Sequence, residues 1–140
     1  MKTFIILWFL LIHATFFCQT KIDALATVIK LQSAETLNNL IEAEKYIDLE
    51  RTFGELAKVE KKSSYQLWED FVNFQYELGK DKKFTNVFTY YDFNIEVEKT
   101  KKTYKVIFTY QFADNGLKSI IYKLEKIEGN LKVVDIIFIK

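Results

Sequence analysis

The spacing of apolar residues along the chain changes once. Between Ile22 and Leu78 apolar residues recur every three to four positions, which is typical of amphipathic helices. From Phe84 to the end they mostly alternate with other residues, which is typical of strands. The chain contains no proline, and no repeat or Gly/Ser-rich linker divides it. The pattern therefore predicts a single α+β domain in which helices precede a sheet.

The helical half divides into about three predicted helices. The first follows an apolar stripe from Ile22 to about Glu44. The third has the clearest ends, because Ser63 and Gln66 have the spacing of a capping box and Gly79 stands at the position of a C-terminal cap. The second is shorter, and its apolar positions are Tyr46, Leu49, Phe53 and Leu56. The buried face of the third is predicted to contain Leu67, Trp68, Phe71, Val72 and Leu78.

The second half contains four predicted antiparallel strands in meander order. Since a slip of one residue would turn every side chain to the opposite face, the apolar residues limit the possible pairings. We predict that Val97 lies opposite Tyr104 around the first turn. Val106 then lies opposite Leu124 around the Ala-Asp-Asn-Gly turn.

The turn at Gly129-Asn130 allows two registers for the last hairpin. A two-residue loop there is the stronger local signal, but it sets Leu124 against Asp135. A three-residue loop pairs Leu124 with Val134 instead. We predict the second register, because a carboxylate opposite a buried leucine is the more unfavourable arrangement.

The two faces of the predicted sheet differ in polarity. The inner face, on which the helices are expected to pack, contains Tyr91, Phe93, Ile95, Val97, Val106, Phe108, Tyr110, Ile120, Tyr122, Leu124, Val134, Ile136 and Phe138. The outer face carries more apolar residues than a solvated surface normally does, and a second copy of the chain is the simplest cover. The candidate residues of this dimer face are Ile107, Ile121, Val133, Ile137 and Ile139.

The first eighteen residues have the pattern of an export signal. Lys2 provides a positive start, Phe4–Ile12 provides an apolar segment, and small or neutral residues lead to a cleavage position near Ala14 or Cys18. We therefore predict a signal peptide at residues 1–18 and export to the periplasm or the cell exterior.

Two other interpretations of this segment are less favoured. A membrane anchor needs about 20 apolar residues, and this segment is shorter. A lipid anchor on Cys18 is disfavoured because Phe17 stands where the bacterial lipobox has a small residue. The remaining chain, residues 19–140, is predicted to be the single α+β domain.

Charge gives little indication of an anionic partner. Lys2 is the only charged residue of the predicted signal, so the remaining chain has 19 basic and 19 acidic residues. A neutral protein has no overall field that attracts nucleic acid or an anionic membrane, and neither is expected as a partner. The basic cluster of Lys99, Lys101 and Lys102 is interpreted as a solvated hairpin tip.

The positions of histidine and cysteine exclude several chemistries from the predicted domain. His13 and Cys18 are the only residues of their types in the chain. Cleavage after Cys18 therefore removes Ser-His-Asp and Cys-His nucleophiles, imidazole or thiolate metal sites and thiol redox chemistry. We predict no catalytic residues, no metal and no cofactor.

Aromatic residues provide the candidate ligand pocket. An Asp base with a Tyr oxyanion donor is conceivable at Tyr90-Tyr91-Asp92, but strand alternation sends Tyr91 and Asp92 to opposite faces. The candidate pocket residues are Trp68, Phe71, Tyr91, Tyr110 and Tyr122. The alternative is that these side chains simply form the core.

Several short stretches resemble a known family. The stretches AEKYIDLERTF, SSYQLWEDF, ELGK and EGNLKVVDIIFIK are similar to the secreted bacterial family called domain of unknown function 4019. The matching positions are Tyr46, Trp68, Leu78-Gly79, Gly129–Val133 and Phe138–Lys140. Leu131 departs from the pattern, which usually has Trp there, and so does the long lysine-rich first hairpin. The resemblance implies a cone-type fold of the cystatin-like and nuclear-transport-factor-2-like group, in which the helices pack on a curved sheet. It implies export and no particular activity.

These observations together predict an exported, non-catalytic binding or interaction domain whose ligand is not specified. One alternative is a carrier or isomerase for a small apolar molecule held between helices and sheet. Another is a homodimeric structural protein.

Overall fold

The computed structural model describes residues 20–80, 93–111 and 118–140, except for the side chains of Leu78 and Gly79. The predictions that fall outside the described residues are those for the signal at 1–18, for Tyr90-Tyr91-Asp92 and for the Ala-Asp-Asn-Gly turn at 113–116.

Within the described residues, helices precede a four-stranded antiparallel sheet with strand order β1-β2-β3-β4. This confirms the predicted α+β class and meander. The helices are α1 (residues 20–36), α2 (Leu40–Ala43), α3 (Leu49–Glu60) and α4 (Ser64–Lys80), with a 3₁₀ turn at Glu44–Tyr46. The strands are β1 (Phe93–Lys99), β2 (Thr103–Tyr110), β3 (Ser119–Ile127) and β4 (Asn130–Ile139).

The first predicted helix is interrupted where two asparagines follow each other. Asn38 has a left-handed backbone (φ 53°), which asparagine adopts more readily than most residues. Asn39 then caps α2, because its side chain accepts a hydrogen bond from the Glu42 N–H at 3.2 Å. Leu37 and Ile41 belong to the apolar stripe that was predicted to run from Ile22 to about Glu44, and they are 74% and 82% exposed.

The prediction for the N-terminus of α4 is confirmed, and the prediction for its C-terminus is wrong. The Gln66 N–H donates to Ser63 Oγ at 3.1 Å, and the Ser63 N–H donates to Gln66 Oε1 at 3.2 Å, which is the reciprocal pattern of a capping box. Gly79 was expected to cap the helix, but α4 continues through it to Lys80.

The first two hairpins have the predicted faces and a different register. Val97 pairs with Val106 instead of Tyr104, and Val106 pairs with Tyr122 instead of Leu124, so both registers are displaced by two residues. A displacement by two leaves every side chain on its predicted face, which is why the apolar pattern does not distinguish the two registers.

The last hairpin has the predicted register far from its turn and, beside the turn, a register that neither of the two predicted loops gives. Next to the turn, Ile127 pairs with Asn130 around a two-residue loop, whose residues Glu128 and Gly129 have φ of 50° and 87°. Positive φ at both loop positions is the arrangement that suits the twist of a tight hairpin. Farther from the turn, Lys123 pairs with Asp135 as predicted.

A register shift between Lys123 and Leu124 joins these two registers. Leu124 pairs with Val133 instead of Val134, and the extra residue on β4 is accommodated as a bulge. The bulge turns Val133 inward, where its side chain is completely buried. The prediction that Val133 belongs to an outer dimer face is therefore wrong.

One hydrophobic cluster fills the space between the helices and one face of the sheet. α1 contributes Ala24, Val28, Leu31 and Ala34; α4 contributes Trp68 and Val72; the strands contribute Phe93, Val106, Phe108, Ile120, Tyr122, Leu124 and Val133. The segment before α3 protects part of the β4 edge, because Ile47 forms a parallel bridge with Val133 and the Asp48 N–H donates to Val133 O at 2.8 Å.

Candidate functional site

Two polar residues of α1 lie on the side of the helix that faces the core. Gln32 and Glu35 follow Val28 at spacings of four and seven residues, so all three lie on the same side of the helix. Val28 is completely buried, and Gln32 is 5% exposed. A polar side chain in this position needs a partner, and the partners come from β3 and α4.

Gln32 satisfies only one of the two polar atoms of its side-chain amide inside the protein. Its Nε2 donates to the Tyr122 hydroxyl oxygen at 2.9 Å, which connects α1 to β3. Its Oε1 has no hydrogen-bond partner among the described residues. A buried amide oxygen without a donor raises the free energy of the folded state by about 1–3 kcal/mol, so this atom is a favourable acceptor for an additional group.

Glu35 is held by the most deeply buried side chain of α4. Trp68 is completely buried, and its Nε1–H donates to Glu35 Oε1 at 2.7 Å. Burial raises the pKa of Glu35 from 4.5 to about 7, although the hydrogen bond from Trp68 acts in the opposite direction. The carboxyl group is therefore fixed in position and changes its charge near neutral pH.

Gln32 and Glu35 border a small cleft between α1, α4 and the sheet, called the Glu35 cleft below. Its volume is about 30 Å³. This volume accommodates one or two groups of the size of a water molecule. The other lining residues are Thr36, Phe71, Gln75, Tyr122, Ile136 and Phe138.

The opening of the Glu35 cleft is marked by an exposed aromatic side chain. Phe138 was predicted to be an inner-face residue, and its pairing with Ile120 is confirmed. Its side chain is nevertheless 51% exposed, because it lies near the end of β4. Polar groups therefore lie inside the cleft, and an accessible apolar ring lies beside it.

The structure brings together some of the predicted pocket residues and separates others. Phe71 and Tyr122 line the Glu35 cleft. Trp68 does not line it but donates a hydrogen bond to Glu35, which does. Tyr110 packs on Phe93 instead, with ring centroids 5.4 Å apart. Tyr91 lies outside the described residues.

Sequence reasoning missed Gln32 and Glu35, although a signal was present. Both interrupt the apolar stripe of α1 at positions where the helical period requires a core residue. A Gln and a Glu at such positions indicate buried polar groups with partners on other elements. The partners themselves, Tyr122 and Trp68, are 90 and 33 residues away along the chain.

A larger and more open cleft lies at the opposite end of β3, between the start of the described part of α1 and two hairpin tips. Its volume is about 570 Å³. Lysines are accompanied here by Asp23 and by Glu125, which is paired with Arg51 at 3.0 Å. The lysines in its lining are Lys99, Lys101, Lys102 and Lys126. Lys101 and Lys102 are exposed, as expected for a hairpin tip, and the mixture of charges does not indicate one class of ligand.

The outer face of the sheet contains three isoleucines directly opposite one another, called the isoleucine row below. Ile107 pairs with Ile121, and Ile121 pairs with Ile137. All three are half-buried, while Ile139 is 41% exposed. Beside the row, Lys123 and Asp135 form an ion pair at 2.7 Å.

The part of the chain that the structure describes contains no cluster of metal-ligating side chains and no membrane-spanning helix. No group of three or more His, Cys, Asp or Glu side chains there has a metal-binding arrangement. None of the helices found there combines the length and the apolar character that a bilayer crossing requires.

Comparisons with protein-family models, with curated proteins and with solved structures find no match for this chain.

Proposed function

We propose that this chain is an exported, non-catalytic binding or interaction domain that engages its partner at the opening of the Glu35 cleft. The observation that carries this proposal is the size of the cleft, about 30 Å³. Sites that enclose a small molecule usually measure about 300–1,000 Å³. A partner at this site therefore lies mainly on the surface and inserts at most one small group.

Aromatic packing on the inner face of the sheet supports the same conclusion. Phe108 contacts Phe93 and Tyr122 edge to face, with ring centroids 6.0 and 5.7 Å apart. Such contacts add about 0.5–1.5 kcal/mol beyond the area that they bury. These side chains act as core residues, and this favours binding at the surface over binding inside the domain.

The proposal includes the cone-type arrangement and the secreted bacterial family that the sequence resembles. Both are supported by the order of elements, with helices first and a meander sheet after them. Export is supported by the signal-like pattern of residues 1–18.

A carrier or isomerase for a small apolar molecule is the second candidate. Glu35 favours it, because a carboxyl group whose pKa is about 7 is suited to proton transfer at neutral pH. The volume of the Glu35 cleft argues against this candidate. A substrate would have to place the carbon atom that loses its proton beside the carboxyl group, and the cleft is too small for that. The binding proposal is preferred for this reason.

A homodimeric structural protein is the third candidate, and the isoleucine row favours it. The row presents apolar side chains on three adjacent strands, and the neighbouring Lys123–Asp135 pair leaves no net charge at that position to repel an identical face. This candidate does not involve the Glu35 cleft.

Native mass spectrometry of protein taken from the producing cell tests the main proposal. We expect a chain that lacks the predicted signal and carries a non-covalently bound molecule. A Phe138→Ser variant is expected to lose that molecule, because the substitution removes the apolar ring beside the cleft without adding a charge. Phe74→Ser is the matched control, since Phe74 is 63% exposed on α4 and does not line the cleft.

Each result bears on one part of the proposal. An uncleaved chain or a lipid on Cys18 would contradict the predicted processing. Equal retention of the bound molecule by both variants would remove the Glu35 cleft as the binding site, and a bare homodimer would favour the structural alternative.

A further inference from the structure

The interior of the Glu35 cleft presents hydrogen-bond acceptors with unused capacity. Gln32 is 95% buried, given its exposed fraction of 5%, and its Oε1 has no partner among the described residues. The Glu35 carboxyl group receives a hydrogen bond from Trp68, and an ionised carboxylate accepts several such bonds. A group that enters the cleft must therefore donate hydrogen bonds.

The charge of the site indicates which kind of donor fits best. Glu35 forms no ion pair with a Lys or Arg side chain among the described residues. Removing a carboxylate from water without a neighbouring cation raises the free energy strongly. A cation placed beside the carboxylate offsets this cost. A positively charged donor therefore gains more in this cleft than a neutral hydroxyl group does.

The volume limits the size of that donor. About 30 Å³ accommodates the three N–H bonds of a primary ammonium group, which is similar in size to a water molecule. A trimethylammonium group is several times larger and carries no N–H donor. Phe71, Ile136 and Phe138 are apolar lining residues, and Phe138 is 51% exposed, so the cleft offers an apolar surface to the chain attached to the ammonium group.

We propose that the Glu35 cleft binds a primary ammonium group at the end of an unbranched apolar chain. Gln32 Oε1 and the Glu35 carboxylate accept hydrogen bonds from the ammonium group, Trp68 holds the carboxylate in position, and the apolar chain lies against Phe138. This inference rests on the proposed binding function and specifies the chemistry that the site recognises. An alkylamine and the side chain of a lysine in a partner protein present the same group.

Trp68 provides a direct readout of the site. Trp8 and Trp68 are the only tryptophans, so a chain without the predicted signal has a single indole N–H. That N–H donates to Glu35 Oε1, and its NMR resonance therefore responds to a cation bound at the carboxylate. The titration is carried out at pH 8, above the Glu35 pKa of about 7, with hexylammonium as the probe.

Two compounds and two variants serve as controls. Hexanol has the same apolar chain without the charge, and hexyltrimethylammonium has the charge without the small donor head. Glu35→Gln retains an oxygen acceptor for Trp68 and removes the negative charge, and Gln32→Leu removes the unpartnered acceptor. Unfolding of both variants by urea verifies that they are folded.

We expect a saturable shift of the indole resonance with hexylammonium and no saturable shift with either control compound. Dissociation constants at least tenfold higher are expected for both variants. Equal binding of hexanol, equal binding by Glu35→Gln, or no saturable shift of the wild-type protein would overturn the inference. The comparison of the three compounds uses the wild-type protein, so it decides the question even if a variant fails to fold.

The source of the ammonium group is tested in a separate titration. Binding of Nα-acetyl-lysine N-methylamide comparable to that of hexylammonium indicates a lysine side chain of a protein partner, whereas binding of hexylammonium alone indicates a free amine. Failure of all amines while Phe138→Ser still loses the naturally bound molecule would reject the ammonium inference and leave the proposed function in place.

Discussion

At the scale of single residues, Glu35 connects two parts of the helical layer. It belongs to α1, and its carboxyl group is held by Trp68 of α4. The same hydrogen bond provides Trp68 with an acceptor for its buried N–H, which would otherwise be unpaired. Glu35 therefore contributes to the packing of α1 on α4 even without a ligand.

The raised pKa of Glu35 predicts a specific pH dependence of stability. Its pKa of about 7 in the folded state exceeds the ordinary value of 4.5, so between these values the folded chain binds a proton that the unfolded chain has released. The contribution of Glu35 to the free energy of unfolding therefore decreases as pH rises from about 4.5 to 7. The full change corresponds to roughly 3 kcal/mol.

Urea unfolding at pH 5 and pH 8 measures this effect. The Glu35→Gln variant is expected to lose less stability than the wild type between the two values, because it has no proton to release. Glu44→Gln, which changes an exposed carboxylate, is the control and is expected to behave like the wild type. Identical pH profiles for Glu35→Gln and the wild type would contradict the assignment.

Trp68 tests whether the interior is filled. Trp68→Ala is predicted to lower the free energy of unfolding by about 3–5 kcal/mol, because a fully buried ring is removed from a packed core. Phe74→Ala, on the exposed side of the same helix, is predicted to change it by less than about 0.5 kcal/mol. The measurement is urea unfolding followed by circular dichroism. A loss below about 1.5 kcal/mol for Trp68→Ala would indicate that Trp68 borders a cavity.

At the scale of secondary-structure elements, three boundaries contain residues with left-handed backbone. Asn38 follows α1, Lys61 caps α3, and Glu128 and Gly129 close the last hairpin, all with φ between 50° and 87°. Glycine and asparagine tolerate this conformation, whereas lysine and glutamate do so at an energetic cost. The weak positions of this fold are therefore Lys61 and Glu128.

Lys61→Gly is predicted to stabilise the protein. At Lys61, φ is 54°, and the following N–H, of Lys62, donates to Ala57 O at 3.0 Å to complete the cap. Glycine removes the strain of the left-handed backbone, and we expect a gain of about 1 kcal/mol in thermal or urea unfolding. Lys58→Gly, inside α3, is the control and is expected to lose about 1 kcal/mol. The same sign for both variants would contradict this explanation.

The bulge in the last hairpin shows how two local preferences are satisfied at once. The turn favours a two-residue loop, and the apolar pairing of Tyr122 with Ile136 requires one residue more on β4. The bulge supplies this residue and turns Val133 into the core. The last strand therefore has apolar residues at both odd and even positions, because its alternation is reset in the middle.

At the scale of the whole molecule, the helices cover one face of the sheet and leave the isoleucine row on the other. If a second copy covers this row, Ile137→Lys is predicted to convert a dimer into a monomer, because it introduces a charge into the contact. Sedimentation velocity measures this change. Thr109→Lys is the matched control, since Thr109 is exposed on the same face and pairs with Ser119 outside the row. A wild-type monomer, or a dimer that Ile137→Lys does not affect, would remove the homodimer candidate.

Prediction from sequence was most accurate for local features and for the faces of the strands. The capping box at Ser63 and Gln66 was identified because its residues are close in sequence. The faces were identified because strand periodicity survives a displacement by two residues, and the registers were wrong for the same reason. The inward position of Val133 was missed, because a bulge can be predicted only by comparing the pairing along the whole hairpin with the length of its turn.

The candidate site was predicted only in part. Phe71 and Tyr122 were expected to line a pocket, and both line the Glu35 cleft. Gln32 and Glu35 were missed, since their role depends on partners from α4 and β3 that are distant along the chain. The Glu35 cleft measures only about 30 Å³, so most of the candidate pocket residues form core, which was the alternative interpretation.

By itself, the sequence determined the order of helices and strands, the inner face of the sheet and the absence of histidine and cysteine from residues 19–140. These features depend on residue type and on periods of a few residues, and both can be recognised in the sequence without a structure. The tertiary structure alone decided the strand registers, the burial of Val133 and the meeting of Gln32 and Glu35 with Tyr122 and Trp68. Each of these features depends on contacts between segments that are distant along the chain. In the interior, the packing of these segments and their hydrogen bonds must be satisfied together.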